Sequence, residues 1–113
     1  GIAGIRQGKN SIAFKNIVIQ PQVVGNIHAA QGSFHSPYGW IKSNWSVKEG
    51  HFSIDIEIPV NTTATIVLPA KKDAAIFLDE KSVNNPAFQN DTVVLTVPSG
   101  AYNIRMVPFP ETR

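Results

Sequence analysis

Residues 51–69 read HFSIDIEIPVNTTATIVLP and decide the fold predicted for the chain. In both halves of this stretch apolar side chains occupy every second position, namely Phe52, Ile54, Ile56, Ile58, Ala64, Ile66 and Leu68. Side chains of a strand alternate between its two faces, so each half is predicted to be a strand with one buried face. Pro59 cannot donate to a strand ladder and Asn61 tolerates a positive φ, so a turn is predicted over 59–62.

The remainder of the chain continues this pattern. Six further segments, bounded by Gly, Pro, Asn or Asp, are predicted to be strands, at 11–20, 27–36, 40–47, 75–79, 92–98 and 101–107. No segment has the 3.6-residue period of an amphipathic helix. About eight short strands indicate an all-β domain. The long connections favour an antiparallel two-sheet β-sandwich with Greek-key connections over a closed barrel.

The length of 113 residues corresponds to one domain. We predict that 11–108 form the sandwich and that 109–113 form a tail. The glycine-rich residues 1–10, GIAGIRQGKN, are predicted to be a linker or the end of a preceding catalytic domain. Because GIAGI is an unusual natural start, we expect the chain to be a piece of a longer protein.

Composition argues against several classes of function. The net charge is only +2 and no basic run occurs, so no nucleic-acid partner is expected. The chain has no cysteine, which removes disulfides, thiolate metal sites and cysteine nucleophiles. No apolar run approaches the roughly 20 residues of a membrane span, so no membrane partner is expected.

The acidic and histidine residues are the candidates for catalytic or metal-binding groups. Asp55 and Glu57 lie on one strand face with their Cα atoms about 6.6–6.8 Å apart, a spacing similar to that of the carboxyls of an inverting glycosidase. Alternating strands commonly carry acids on the exposed face, so we interpret both as solvated. His28, His35 and His51 show no metal-ligand spacing, except for a loose one between His51 and Asp55. We therefore predict no catalytic residue, no metal site and no cofactor.

Aromatic residues are the best candidates for binding. A flat aromatic ring can stack on a sugar ring while its polar edge forms hydrogen bonds. Trp45 shares a strand face with Ile41 and Val47, so we expect it in the core. Tyr38 and Trp40 are the candidates for docking or sugar stacking, because Trp40 points to the opposite face. Coverage by a neighbouring domain and stacking on a ligand both remain open for Trp40.

Four strings resemble the C-terminal β-sandwich domain of bacterial α-L-rhamnosidases. They are FKNIVIQP at 14–21, HAAQGSFHSPYGWI at 28–41 followed by Trp45, IPVNTTATIVLP at 58–69 and SGAYNIR at 99–105. Their order and spacing match the family over about residues 2–108. Trp40 departs from the family pattern, in which a small or charged residue is more common between the glycine and the isoleucine.

The resemblance implies a function that the residues alone do not give. The parent enzyme would hydrolyse terminal α-L-rhamnosides with inversion, in an α/α toroid that precedes this domain and supplies both catalytic glutamates. No position of this chain matches those glutamates, so the chain by itself is expected not to be an enzyme. It would be an accessory domain whose partner is the catalytic domain in cis.

The alternative is a carbohydrate-binding module that targets the parent enzyme to rhamnose-containing glycans. Its signature would be two or three exposed, coplanar aromatic rings beside Asn, Gln or Asp side chains.

The resemblance implies a bacterial protein. The compartment is not predicted, and a secreted and a periplasmic parent enzyme are both options.

Overall fold

The computed structural model describes residues 4–7, 15–23 and 27–110. In these ranges the chain forms strands β1 (Ile5–Gln7), β2 (Asn16–Ile19), β3 (Ala29–Ser36), β4 (Gly39–Lys48), β5 (His51–Ile58), β6 (Thr63–Pro69), β7 (Ala75–Leu78), β8 (Lys81–Ser82), β9 (Ala87–Gln89), β10 (Thr92–Val97) and β11 (Gly100–Val107). The described ranges contain no helix that is both long and apolar enough to cross a bilayer.

The strands form two sheets, which confirms the predicted all-β sandwich. The order is β1-β2-β6-β10-β9 in a five-stranded sheet and β3-β4-β5-β11-β7-β8 in a six-stranded sheet. Neighbours such as β5–β11 and β6–β10 are distant in sequence, in line with the predicted Greek-key connections. One pair departs from the antiparallel prediction, since β2 and β6 are parallel. Parallel neighbours need a crossover connection, and β3–β5 in the other sheet provide it.

The turn at 59–62 carries the chain from one sheet to the other. β5 lies in the six-stranded sheet and β6 in the five-stranded sheet, so the two strands do not pair with each other. Asn61 has φ 57°, as predicted from its tolerance of this conformation. Thr62 is buried and its hydroxyl donates to the carbonyl of Val60 at 3.2 Å. The stretch 51–69 therefore supplies apolar side chains to the core from both layers.

A single hydrophobic core lies between the sheets. Its largest fully buried side chains are Trp45, Phe52, Ile17, Ile19, Ile41, Ile54, Ile56, Ile66, Leu68, Ile76, Ile104 and Met106. The apolar alternation predicted for β5 and β6 is confirmed at every position. Trp45 is 1% exposed and its ring lies 6.1 Å from that of Phe52, which confirms its predicted place in the core.

Both ends of the sandwich differ from the boundaries expected from sequence. Ile5–Gln7 form β1, and the amide of Gln20 donates to the carbonyl of Gly4 at 2.8 Å, so part of the predicted linker is sheet. A Cβ at Gly4 would lie 2.0 Å from the Gln20 oxygen, so only glycine fits there. Residues 1–3 and 8–10 lie outside the described residues.

Phe109 belongs to the core rather than to a tail. It is 7% exposed, and its ring stacks on Phe52 with centroids 4.8 Å apart. Its amide also donates to the carbonyl of Gly50 at 2.8 Å. The prolines on both sides of Phe109 conceal this contact in the sequence, because they interrupt the alternation that marks a strand.

Residues 80–91, between the strands predicted at 75–79 and 92–98, contain two short strands, β8 and β9. β8 pairs with β7, and β9 pairs with β10. Tight turns flank the two short strands. The residues with positive φ in these turns are Asp79, Glu80, Asn85, Asn90 and Asp91. Strands of two or three residues have too few positions for an alternating pattern, which explains why about eight strands were predicted.

Ile66→Ala should lower the free energy of unfolding by about 2–5 kcal/mol, because it leaves a cavity in a fully buried site. Urea denaturation followed by far-UV circular dichroism measures this change. Val60→Ala is the matched control: its side chain is 65% exposed, so its effect should stay within about 0.5 kcal/mol. Equal stabilities of the two variants would contradict the described core.

Phe109→Ala should cost about 3–5 kcal/mol of stability, because a buried aromatic ring is removed from its contact with Phe52. Phe34→Ala, at a position 42% exposed, is the control and should cost clearly less. Thermal or urea unfolding of both variants provides the measurement. If Phe109→Ala leaves stability unchanged, the domain ends before this residue, as the sequence alone suggested.

Candidate functional site

The outer face of the six-stranded sheet carries a polar groove. This groove has a volume of about 640 Å³ and is lined by Gln31, Gly32, Ser33, Lys42, Ser43, Asn44, Asp55 and Glu57. Its long side chains come from β3, β4 and β5 at the alternate positions that do not enter the core. The groove is therefore formed by the exposed faces of the same strands whose opposite faces enter the core.

The strand register arranges the groove residues in two rows. In the first row Asn44 lies between Gln31 of β3 and Asp55 of β5. In the second row Lys42 lies between Ser33 and Glu57. Neighbouring strands are about 4.7–4.9 Å apart, so the side chains of one row can contact the same small ligand.

Asp55 is held in place by the neighbouring strand β11. The side-chain amide of Asn103 donates to Asp55 Oδ1 at 3.0 Å and to Ser53 Oγ at 3.1 Å. The backbone amide of Asn103 in turn donates to Asp79 Oδ1 at 2.8 Å. These bonds fix the orientation of the Asp55 carboxylate while its side chain stays accessible at the groove.

Lys42 and Glu57 form an ion pair across β4 and β5. Their Nζ and Oε2 atoms are 3.7 Å apart, and the two side chains are 52% and 59% exposed. An exposed pair of this kind contributes only about 0–1 kcal/mol to stability. The domain would therefore lose little stability if either side chain left the ion pair to bind a ligand in the groove.

Trp40 lies at one end of the groove and is 53% exposed. Its ring stacks on His35, its cross-strand partner, with centroids 4.7 Å apart and planes at 28°. Trp40 precedes Lys42 by two residues on β4, and His35 follows Ser33 by two residues on β3. The two rings are therefore on the same face as the groove and directly continue it. We call this pair the Trp40 platform.

Tyr38, the second predicted binding residue, lies elsewhere. It is half-buried in the turn between β3 and β4, where its amide donates to Ser36 Oγ at 3.2 Å. A Cβ at Gly39 would lie 3.1 Å from Pro59 Cβ, so this turn packs against the turn at 59–62. Phe34 and Val60 are exposed on these neighbouring segments. We call Phe34, Tyr38 and Val60 the hairpin tip.

Sequence reasoning proposed Tyr38 and Trp40 but missed the groove. Asp55 and Glu57 are exposed, as the alternation predicted. Gln31, Lys42 and Asn103 belong to no motif, and their meeting depends on strand order and register. The one available signal was the row of polar residues at alternate positions on three successive strands.

The structure offers no grouped metal ligands in the part of the chain that it describes. No cluster of three or more His, Asp or Glu side chains in residues 4–7, 15–23 and 27–110 is arranged to hold a metal ion. His35 stacks on Trp40, and Asp55 is bound by Asn103. The chemistry that this face can offer is hydrogen bonding and aromatic stacking.

Comparison with known proteins places this geometry in a family. The family model described as "Bacterial alpha-L-rhamnosidase C-terminal domain" matches residues 4–82. An α-L-rhamnosidase of Formosa agariphila is 30% identical over 108 residues, which are 91% of this chain and 11% of that protein. An α-L-rhamnosidase of Streptomyces avermitilis is 33% identical over 69 residues, which are 61% of this chain and 6% of that protein. The chain thus spans about a tenth of the length of these relatives, or less.

Solved structures agree with the sequence relatives. The α-L-rhamnosidase of Streptomyces avermitilis, complexed with L-rhamnose, superposes with a TM-score of 0.76 at 26% identity, over 92% of this chain and 10% of that one. The α-L-rhamnosidase from Dictyoglumus thermophilum shares the fold, with a TM-score of 0.86 at 24% identity, over 94% of this chain and 12% of that one. The chain belongs to the bacterial α-L-rhamnosidase C-terminal domain family.

Proposed function

We propose that this chain is a non-catalytic accessory domain of an α-L-rhamnosidase, which packs on and stabilises the catalytic domain of the same polypeptide. The observation that carries the proposal is the ratio of lengths: the chain matches 11% of a related enzyme over 91% of its own residues. By resemblance, the catalytic glutamates belong to the α/α toroid that makes up the body of such enzymes.

The surface of the sandwich supports a docking role. Phe34 and Val60 are 42% and 65% exposed at the hairpin tip, beside the half-buried Tyr38. Large exposed apolar side chains on a small domain favour contact with another protein surface. We assign the catalytic domain in cis as the occupant, because most of the polypeptide of the related enzymes lies outside the part matched here.

Trp40 is less suited to a docking contact shared by the family. By resemblance, the family more often carries a small or charged residue at this position, and Trp40 lies on the same outer face of β4 as Lys42 and Asn44. A second candidate function is therefore carbohydrate binding by the same domain. The specific observation that favours it is an exposed, stacked tryptophan on the same outer face of β4 as the groove residues Lys42 and Asn44.

Replacing both Phe34 and Val60 by serine in the parent enzyme should shorten the half-life of rhamnosidase activity at elevated temperature. Each apolar side chain contributes about 1.5–3 kcal/mol when it is fully buried, so even partial burial at an interface gives a severalfold change. The kcat and KM of the variant should remain unchanged at low temperature. Residual activity after timed heating, assayed with an aryl α-L-rhamnoside, is the measurement.

Lys81→Ala, on the exposed strand β8, serves as the matched control and should leave the half-life unchanged. The 113-residue chain alone should not turn over the same rhamnoside. Two results would contradict the proposal: turnover by the isolated chain, or equal thermal inactivation of the parent enzyme with and without the two serine substitutions.

A further inference from the structure

We propose that the polar groove and the Trp40 platform together form a binding site for a neutral oligosaccharide. The inference rests on the second candidate function and gives it a place, a set of residues and a ligand class. It is independent of docking through the hairpin tip, which uses Phe34, Tyr38 and Val60.

The Trp40 platform supplies an apolar surface of the shape that a sugar ring needs. His35 covers one side of the indole and fixes its plane, while 53% of the residue stays exposed. The C–H groups of a pyranose pack on an aromatic face, and hydroxyl groups at the ring edge remain available for hydrogen bonds.

The groove continues from the platform in a straight line along β4. Trp40, Lys42 and Asn44 are successive residues on the outer face, so the Cα atoms of Trp40 and Asn44 are about 13–14 Å apart. This length exceeds a single sugar ring. A ligand that stacks on Trp40 and reaches Asn44 is therefore an oligosaccharide rather than a monosaccharide.

The polar side chains along this line match the chemistry of sugar hydroxyls. A hydroxyl group both donates and accepts, and the amides of Gln31 and Asn44 can do the same. Asp55 is an acceptor whose orientation is fixed by Asn103 at 3.0 Å. Lys42 adds a donor that is tied only by a solvent-exposed ion pair. The groove thus offers both donors and acceptors to sugar hydroxyls.

The charge of the groove selects against acidic glycans. Asp55 and Glu57 contribute two carboxylates and Lys42 one ammonium group, which leaves an excess of one negative charge. A uronic acid would meet this excess at short range, whereas a neutral chain would not. The ligand class is therefore a neutral oligosaccharide, including chains that end in rhamnose.

The two tryptophans provide an internal test of this site. In ¹⁵N-labelled protein, Trp40 and Trp45 give two indole N–H signals, and only Trp40 is exposed. The 113-residue chain is titrated with a neutral rhamnose-terminated trisaccharide and, separately, with a trigalacturonate. We expect the Trp40 indole and the Asn44 and Gln31 side-chain amides to shift with the neutral probe, in the millimolar range. The Trp45 indole should stay in place and confirm that the fold is intact.

Trp40→Ala should weaken binding of the neutral trisaccharide about threefold to tenfold, as expected for the loss of one stacking contact. Asp55→Asn should weaken binding as well, while the Trp45 signal of both variants remains at its native position. Lys81→Ala, on the exposed strand β8 at the opposite edge of the six-stranded sheet from β3, is the matched control and should bind like the unmodified chain.

Three results would overturn the proposal. The first is the absence of any shift at tens of millimolar trisaccharide in a sample with a native Trp45 signal. The second is equal affinity of Trp40→Ala and the unmodified chain, and the third is tighter binding of trigalacturonate than of the neutral probe. The docking role fails separately, through unchanged thermal inactivation of the parent enzyme.

Discussion

The burial of β5 and β6 in one common core, from opposite layers of the sandwich, is the constraint on which the rest of the structure depends. Both strands bury every second residue, and the turn at 59–62 places them in different layers. Because the two strands are adjacent in sequence, bringing their apolar faces into one core costs little chain entropy. β4 and β11 pair with β5, and β2 and β10 pair with β6, so these two strands connect to most of both sheets.

The same alternation that builds the core also creates the surface on which ligands are proposed to bind. In the described part of the chain, the long side chains between the core positions of β3, β4 and β5 are exposed, and they form the groove together. Phe34 and Val60 of the hairpin tip are 42% and 65% exposed. One face and one end of the sandwich are thus suited to two different kinds of partner.

The sequence predicts the fold class and the faces of the long strands well, because their apolar period extends over at least six residues. The prediction fails where a strand is too short to show a period, and where the structure depends on pairing between residues that are distant in sequence. β8 and β9 are too short, Phe109 lies between prolines, and the β2–β6 pair joins residues 16–19 to 63–66. For the site, exposure of Trp40 and Asp55 follows from alternation. The placement of Asp55 in one row with Gln31 and Asn103 requires the register of four strands.

Asp55 and Glu57 share their backbone with Ile54, Ile56 and Ile58, which are almost completely buried. The floor of the groove therefore cannot shift unless the core shifts with it, and close-packed interiors resist such movement. A ligand meets a surface whose main chain is already ordered. The conformational entropy that the protein loses on binding is then confined to side-chain rotamers, at roughly 0.5–1.5 kcal/mol for each flexible group that becomes immobilised. In the proposed binding role, the rigid sheet itself would hold a weak ligand.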